Sequence, residues 1–123
     1  MYVVLAAHWV TLVAHWVVPG VDTGGDEHQR MADIVEKTDR YERLLAEALD
    51  AATVTPPEGT QMRAAADEYR EMAQSYLDDG RHFREEDDLV NALAAFSYGH
   101  AWLDAGARIG LFDVPEEGHL FTV

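Results

Sequence analysis

His100 and Asp104 stand four residues apart, which places them one helical turn from each other on the same face. A carboxylate at that spacing can hold one imidazole tautomer, as it does beside catalytic bases and metal-bound histidines. No Ser or Cys nucleophile accompanies the pair in a recognised motif, so no residue is assigned a catalytic role. The same spacing also suits a boundary histidine that is simply hydrogen-bonded to a carboxylate. His100 and Asp104 are therefore candidates for ligand binding, not for a covalent step.

The other chemistry-bearing groups are less complete. Asp79-x-x-His82 imitates the acidic-x-x-His step of metal-binding bundles, but such sites need two of these steps and two further inward carboxylates. His82 also falls in the polar arc of its helix, as a solvated histidine does. The run Glu85-Glu86-Asp87-Asp88 lacks the glycine and alternating ligands of a calcium loop, and it reads as helix capping. His8 and His15, seven apart, supply two metal ligands without a third. Gly24-Gly25 lacks the Lys-Ser/Thr step of a phosphate loop. No arginine stands five to seven residues before His82, His100 or His119, so the Arg-x4–6-His signature of RNA-cleaving bundles is absent. No metal site and no cofactor is predicted.

Bulk charge narrows the partners. Acids number 23 against nine bases in 123 residues, for a net charge of −14, and Lys37 is the one lysine. Binding nucleic acid through its phosphates needs a basic patch, so no nucleic acid is expected. Tyr69, Tyr76, Tyr98 and Trp102 could stack on bases, but at helical spacing and without basic partners they read as core or interface. Strong acidity with arginine retained points to a cytoplasm of very high salt, where the screening length falls to about 3 Å near 1 M. A disordered acidic chain is excluded by 48% hydrophobic residues with periodic aromatics. With no cysteine, disulfides and thiolate metal sites are excluded.

These candidates must be positioned by helices. Residues 88–110 are apolar nearly all round a helical wheel, with Ser97, Asp104 and Arg108 as a narrow polar strip, and this marks a buried central helix. A first helix over about 32–54 carries Ile34, Tyr41, Leu45, Ala48 and Ala52 on one stripe, with Glu36/Arg40 and Asp39/Arg43 as exposed pairs four apart. It ends at Pro56-Pro57. A second helix starts after Thr60, a good N-cap, and runs to Phe83 with Gly80 facing the core. Asp87 or Asp88 caps the third helix and Gly110 ends it. The tail, with Leu111, Phe112, Val114, Leu120 and Phe121 around a Pro115–Gly118 turn, is expected to fold back, across the Tyr98/Trp102 side. A second subunit is the alternative cover for that side. The fold class is all-α: an antiparallel three-helix bundle with a packed tail and an extra apolar N-terminal segment.

Residues 1–30 differ from the rest. Residues 1–18 are apolar except for His8, Thr11 and His15 and would span roughly 27 Å as a helix. No Lys or Arg precedes Arg30, which weakens both an anchor and a signal peptide. Residues 21–30 have linker character. The division is 1–30, an apolar segment and linker, and 31–123, the bundle. A biological start at Met31 would account for the break in composition, and a short anchor or a hydrophobic appendage is the alternative. A membrane role is expected only if residues 1–18 are a genuine anchor, and the expected location is cytoplasmic.

The run from Tyr76 to Asp113 resembles the archaeal domain-of-unknown-function 357 family. The matching features are Tyr76, Asp79-Gly80, Phe83, Asn91-Ala92, Phe96-Ser97-Tyr98, and Leu103-Asp104-Ala105-Gly106 leading to Leu111-Phe112. The resemblance covers about residues 31–111. It implies an archaeal origin, a small helical bundle and no established activity, and it supplies no catalytic residues. The leading functional expectation is a non-enzymatic interaction or self-association module working through Tyr98, Trp102 and Ile109. The alternative is a small-ligand-binding or enzymatic bundle with a polar pocket around His100 and Asp104. The first requires an exposed apolar patch of several hundred Å². The second requires a concave pocket that reaches His100.

Overall fold

The computed structural model describes residues 27–122. Three helices, α1 (Glu27–Ala51), α2 (Gln61–Glu85) and α3 (Leu89–Arg108), form an up-down-up bundle. Two two-residue strands, β1 (Thr53–Val54) and β2 (Phe112–Asp113), pair antiparallel with Thr53 opposite Asp113 and Val54 opposite Phe112. The all-α expectation holds, with α3 packed against both other helices and most extensively against α2. His8, His15, Gly24-Gly25 and the anchor reading of 1–18 lie outside the described residues.

The helix ends follow local chemistry. Thr60 caps α2, its hydroxyl oxygen accepting from the Arg63 N–H at 3.1 Å. Asp88 caps α3, accepting from the Arg-free first turn at Asn91 N (3.2 Å) and from the Asn91 side-chain amide (2.6 Å). Both α2 and α3 end in the paired bonds that close a helix through a left-handed residue. In α3 that residue is Gly110 (φ 82°), with Leu111 N–H donating to the Gly106 carbonyl at 2.8 Å. In α2 it is Asp87 (φ 59°), where glycine would be unstrained, and Asp88 N–H donates to the Phe83 carbonyl at 2.8 Å.

Three boundaries differ from the sequence expectation. The first helix begins at Glu27 rather than near Ala32, adding an exposed turn, and stops at Ala51. Thr53 and Val54, expected in its last turn, are extended instead. These β-branched residues sit just before two prolines and gain a partner strand in the tail. The second helix continues to Glu85.

The core is built on close helix approach. Leu45, Ala48, Ala66, Ala73, Ala92, Ala95, Phe96, Leu103 and Leu111 are wholly buried. A Cβ at Gly80 would lie 2.3 Å from the Phe96 ring, so Gly80 is the seat of that ring, as its place on the core face predicts. Gly106 seats Phe112 in the same way, at 2.4 Å, which is how the tail locks onto α3.

The tail takes a different side of α3 from the one expected. After Leu111 and Phe112 it returns along the Asp104/Arg108 strip, and Phe121 packs on the core. The Tyr98/Trp102 side is covered from α2. Tyr69 meets Trp102 edge-on at 5.0 Å, and Tyr76 meets Tyr98 at 4.7 Å. Two aromatic residues two turns apart on α2 thus supply the apolar cover that the tail was expected to give.

Candidate functional site

A groove of about 360 Å³ opens between α1, α3 and the tail. Arg40, Tyr41 and Leu44 line it from α1; Ser97, His100, Ala101 and Asp104 from α3; and His119 and Thr122 from the tail. Arg40, Tyr41 and Leu44 fall within one turn of α1. Ser97, His100, Ala101 and Asp104 recur at three- and four-residue steps, so the helical period alone brings them to one face.

His100 and Asp104 come together as their spacing predicts. His100 Nδ1 lies 3.3 Å from Asp104 Oδ2, and both side chains are more than four-fifths buried. A neutral imidazole donating from Nδ1 to this carboxylate would leave Nε2 as an acceptor. Asp104 has a second task that the sequence did not show. Its Oδ1 accepts from the Thr122 N–H at 3.2 Å and its Oδ2 from the Thr122 hydroxyl at 3.1 Å. Arg108 closes the clamp by donating to the Thr122 carbonyl at 2.7 Å. The Phe121 ring lies 5.9 Å from the His100 ring. Asp104 therefore holds the tail wall while standing beside the histidine. The Ser97 hydroxyl donates to the Leu93 carbonyl at 2.9 Å, a within-helix bond that turns it away from a role as nucleophile. On the α1 wall, Arg40 is paired loosely with Glu36 at 3.7 Å and lies 5.8 Å from the centre of the Tyr41 ring.

Tyr98 and Trp102 are neighbours on α3, their ring centres 6.4 Å apart. Trp102 is half-buried against Tyr69, Tyr98 is 37% exposed, and Ile109 is 58% exposed at the end of α3. Asp79 and His82 diverge: Asp79 is buried, whereas His82 is exposed between Glu85 and Glu86, at 3.9 and 3.5 Å. Among the described residues no group of three His, Asp or Glu side chains converges as metal ligands, and no helix is long and apolar enough to cross a membrane.

Two polar centres were not foreseen. Arg84 of α2 reaches across to Glu42 and Asp39 of α1, and Arg81 Nε donates to Glu42 Oε1 at 2.9 Å. Burial works against the Arg84 charge, but the bonds it donates to Glu42 and Asp39 outweigh it and raise its pKa. The second is Asp79. Its Oδ2 is buried with no hydrogen-bond partner. Burial, then the neighbouring Asp78, pushes its pKa above the usual carboxylate range, against a smaller opposing effect of His82. Neighbouring Tyr76 is pushed up to about 12, first by burial and then by Tyr98 and Asp79. His119, Tyr41 and Arg40 were missed because they reach the groove from other elements, and no local spacing joins them to His100.

The family model described as a protein of unknown function (DUF357) matches residues 40–112. No curated protein and no solved structure matches the chain. The matched span covers the bundle from Arg40 to Phe112 and so includes the α1 and α3 walls of the groove, while His119 and Thr122 of the tail wall lie beyond it. With more than half of its length matched, the chain belongs to the DUF357 family of proteins of unknown function.

Proposed function

We propose that this chain is a non-enzymatic bundle that binds a small ligand in the groove at His100 and Asp104. The observation that carries the reading is the concave groove that reaches His100, walled on three sides and with the Asp104 carboxylate 3.3 Å from the histidine ring. Leu44, Ala101 and the Tyr41 ring suit an apolar body, and the His100 Nε2 edge suits a hydrogen-bond donor on the ligand. The Ser97 hydroxyl is engaged by its own helix, so binding is proposed without a covalent step. In this reading the acidic surface keeps the protein dispersed in a high-salt archaeal cytoplasm.

The test is a fragment screen by NMR on protein labelled at histidine rings and leucine methyls. Ligands should shift His100 and Leu44 together and saturably, and Leu44→Trp, which fills the groove, should abolish the response. Hits that bind Leu44→Trp as well as the parent would remove the groove from the reading.

A partner-binding or self-association role keeps one supporting observation. Met31 (56% exposed) and Val35 (42%) form, with half-buried Ile34, an apolar stripe on the first turns of α1. Sedimentation at several protein concentrations checks it. A monomer throughout would leave self-association without support.

A further inference from the structure

A second cavity, of about 420 Å³, lies on the other side of α1, between α1 and α2. Its lining is Asp39, Glu42, Arg43, Ala46, Arg81 and Arg84. Three of the nine basic residues of a chain with net charge −14 converge there.

The helical spacing pairs Asp39 with Arg43, but the bundle undoes that pairing. Asp39 is taken by Arg84 across the helix interface, and Arg43 is left with no hydrogen bond or ion pair among the described residues. Glu42 holds Arg84 and, through Nε alone, Arg81. The two terminal nitrogens of Arg81 have no hydrogen bond to the described residues. The carboxylates thus anchor two guanidinium groups, while the Arg43 guanidinium and the outer edge of Arg81 remain available as donors at the cavity. Three guanidinium groups against two carboxylates leave one positive charge.

We propose that this cavity binds a small organic monocarboxylate. A single negative charge balances the site, whereas a phosphate dianion would overfill it with negative charge. The planar fork of a guanidinium matches two carboxylate oxygens in plane. The volume falls within the range of small-molecule sites, about 300–1,000 Å³, which leaves space for an organic body along Ala46 and the arginine stems. This site is separate from the His100 groove and does not depend on the reading of it.

The experiment follows the arginine Nε–Hε signals of the full chain by nitrogen-15 NMR while acetate or benzoate is titrated at constant ionic strength. Arg43 and Arg81 signals should shift saturably, with benzoate binding more tightly than acetate. Arg43→Ala, which removes an exposed side chain without a partner among the described residues, should weaken binding roughly tenfold, the scale of a charge-assisted hydrogen bond. His100→Ala, in the other groove, should leave it unchanged. Shifts that rise linearly, that chloride reproduces, or that saturate in Arg43→Ala with undiminished affinity would overturn the proposal. Saturation by methyl phosphate where the carboxylates fail would overturn it equally.

Discussion

Replacing Gly99 with alanine tests the packing that holds the groove's walls together. A Cβ at this position would lie 2.8 Å from Leu45 Cδ2, 2.8 Å from Tyr76 Cβ and 3.2 Å from the Ala73 carbonyl oxygen. Leu45 can rotate its methyl away, although it is wholly buried. Tyr76 Cβ and the Ala73 carbonyl move only if the α2 backbone moves. Overpacking of this kind costs about 1–3 kcal/mol, and the α2 contact places Gly99→Ala toward the upper end. Alanine returns about 0.8–1.0 kcal/mol through its helix propensity. The net expectation is a loss of about 1–2 kcal/mol, a fall in Tm of roughly 5–15 °C for a domain of this size. Thermal unfolding by circular dichroism measures it. Ala105→Gly, at an exposed position of the same helix, measures the propensity contribution by itself. If Gly99→Ala raised the Tm by the amount that Ala105→Gly lowers it, propensity alone would govern the site and the close approach of α3 to α2 would be refuted.

Three further outcomes follow from the polar groups. Asp79→Asn should raise stability near neutral pH. The folded-state pKa of Asp79 lies above its unfolded value, so the native state binds the extra proton and loses stability as pH climbs from the usual carboxylate range through the raised value. The gain should vanish in acid, and an equal gain at both pH values would contradict the burial argument. Arg84→Ala leaves Asp39 and Glu42 facing each other. Because these side chains are partly exposed, the cost should be about 1 kcal/mol and shrink with added salt, as urea titrations at two salt concentrations would show. Asp104→Ala removes both acceptors of Thr122. Hydrogen exchange at Thr122 should accelerate by an order of magnitude, roughly 1–2 kcal/mol of lost local protection, with α3 amides unchanged. Equal acceleration in α3 would mean that Asp104 supports the whole bundle rather than the tail.

The His100–Asp104 pair was legible because both residues sit on one helix, where a four-residue spacing is a distance. The remainder of the groove was not, since Tyr41 and His119 meet His100 only after α1 and the tail have docked. The Glu36–Arg40 pair forms as its spacing suggests, at 3.7 Å, and the Asp39–Arg43 pair does not. Both are exposed i,i+4 pairs worth a few tenths of a kcal/mol. A cross-helix guanidinium that binds two carboxylates at once outcompetes the second pair.

The tail illustrates the same limit. Its apolar residues announced that it would pack, but not where. Gly106 on α3 provides a seat for Phe112, and β1 provides a strand edge. Together they direct the chain toward Asp104 and Arg108 and away from Tyr98 and Trp102, which α2 already covers.

What the sequence determined by itself is what short-range physics governs. The apolar period set three helices, Thr60, Asp88 and Gly110 set their ends, Gly80 marked a close contact, and the residues from Tyr76 onward carried the family. What only the tertiary structure decided is which distant groups become neighbours: the side of α3 that the tail takes, the partner of Asp39, the burial of Asp79 and the three walls of the groove. Helix ends and stripes depend on residues within about four positions of one another. Partner choice depends on which of several near-equal contacts survives when all the helices compete for the same buried surface.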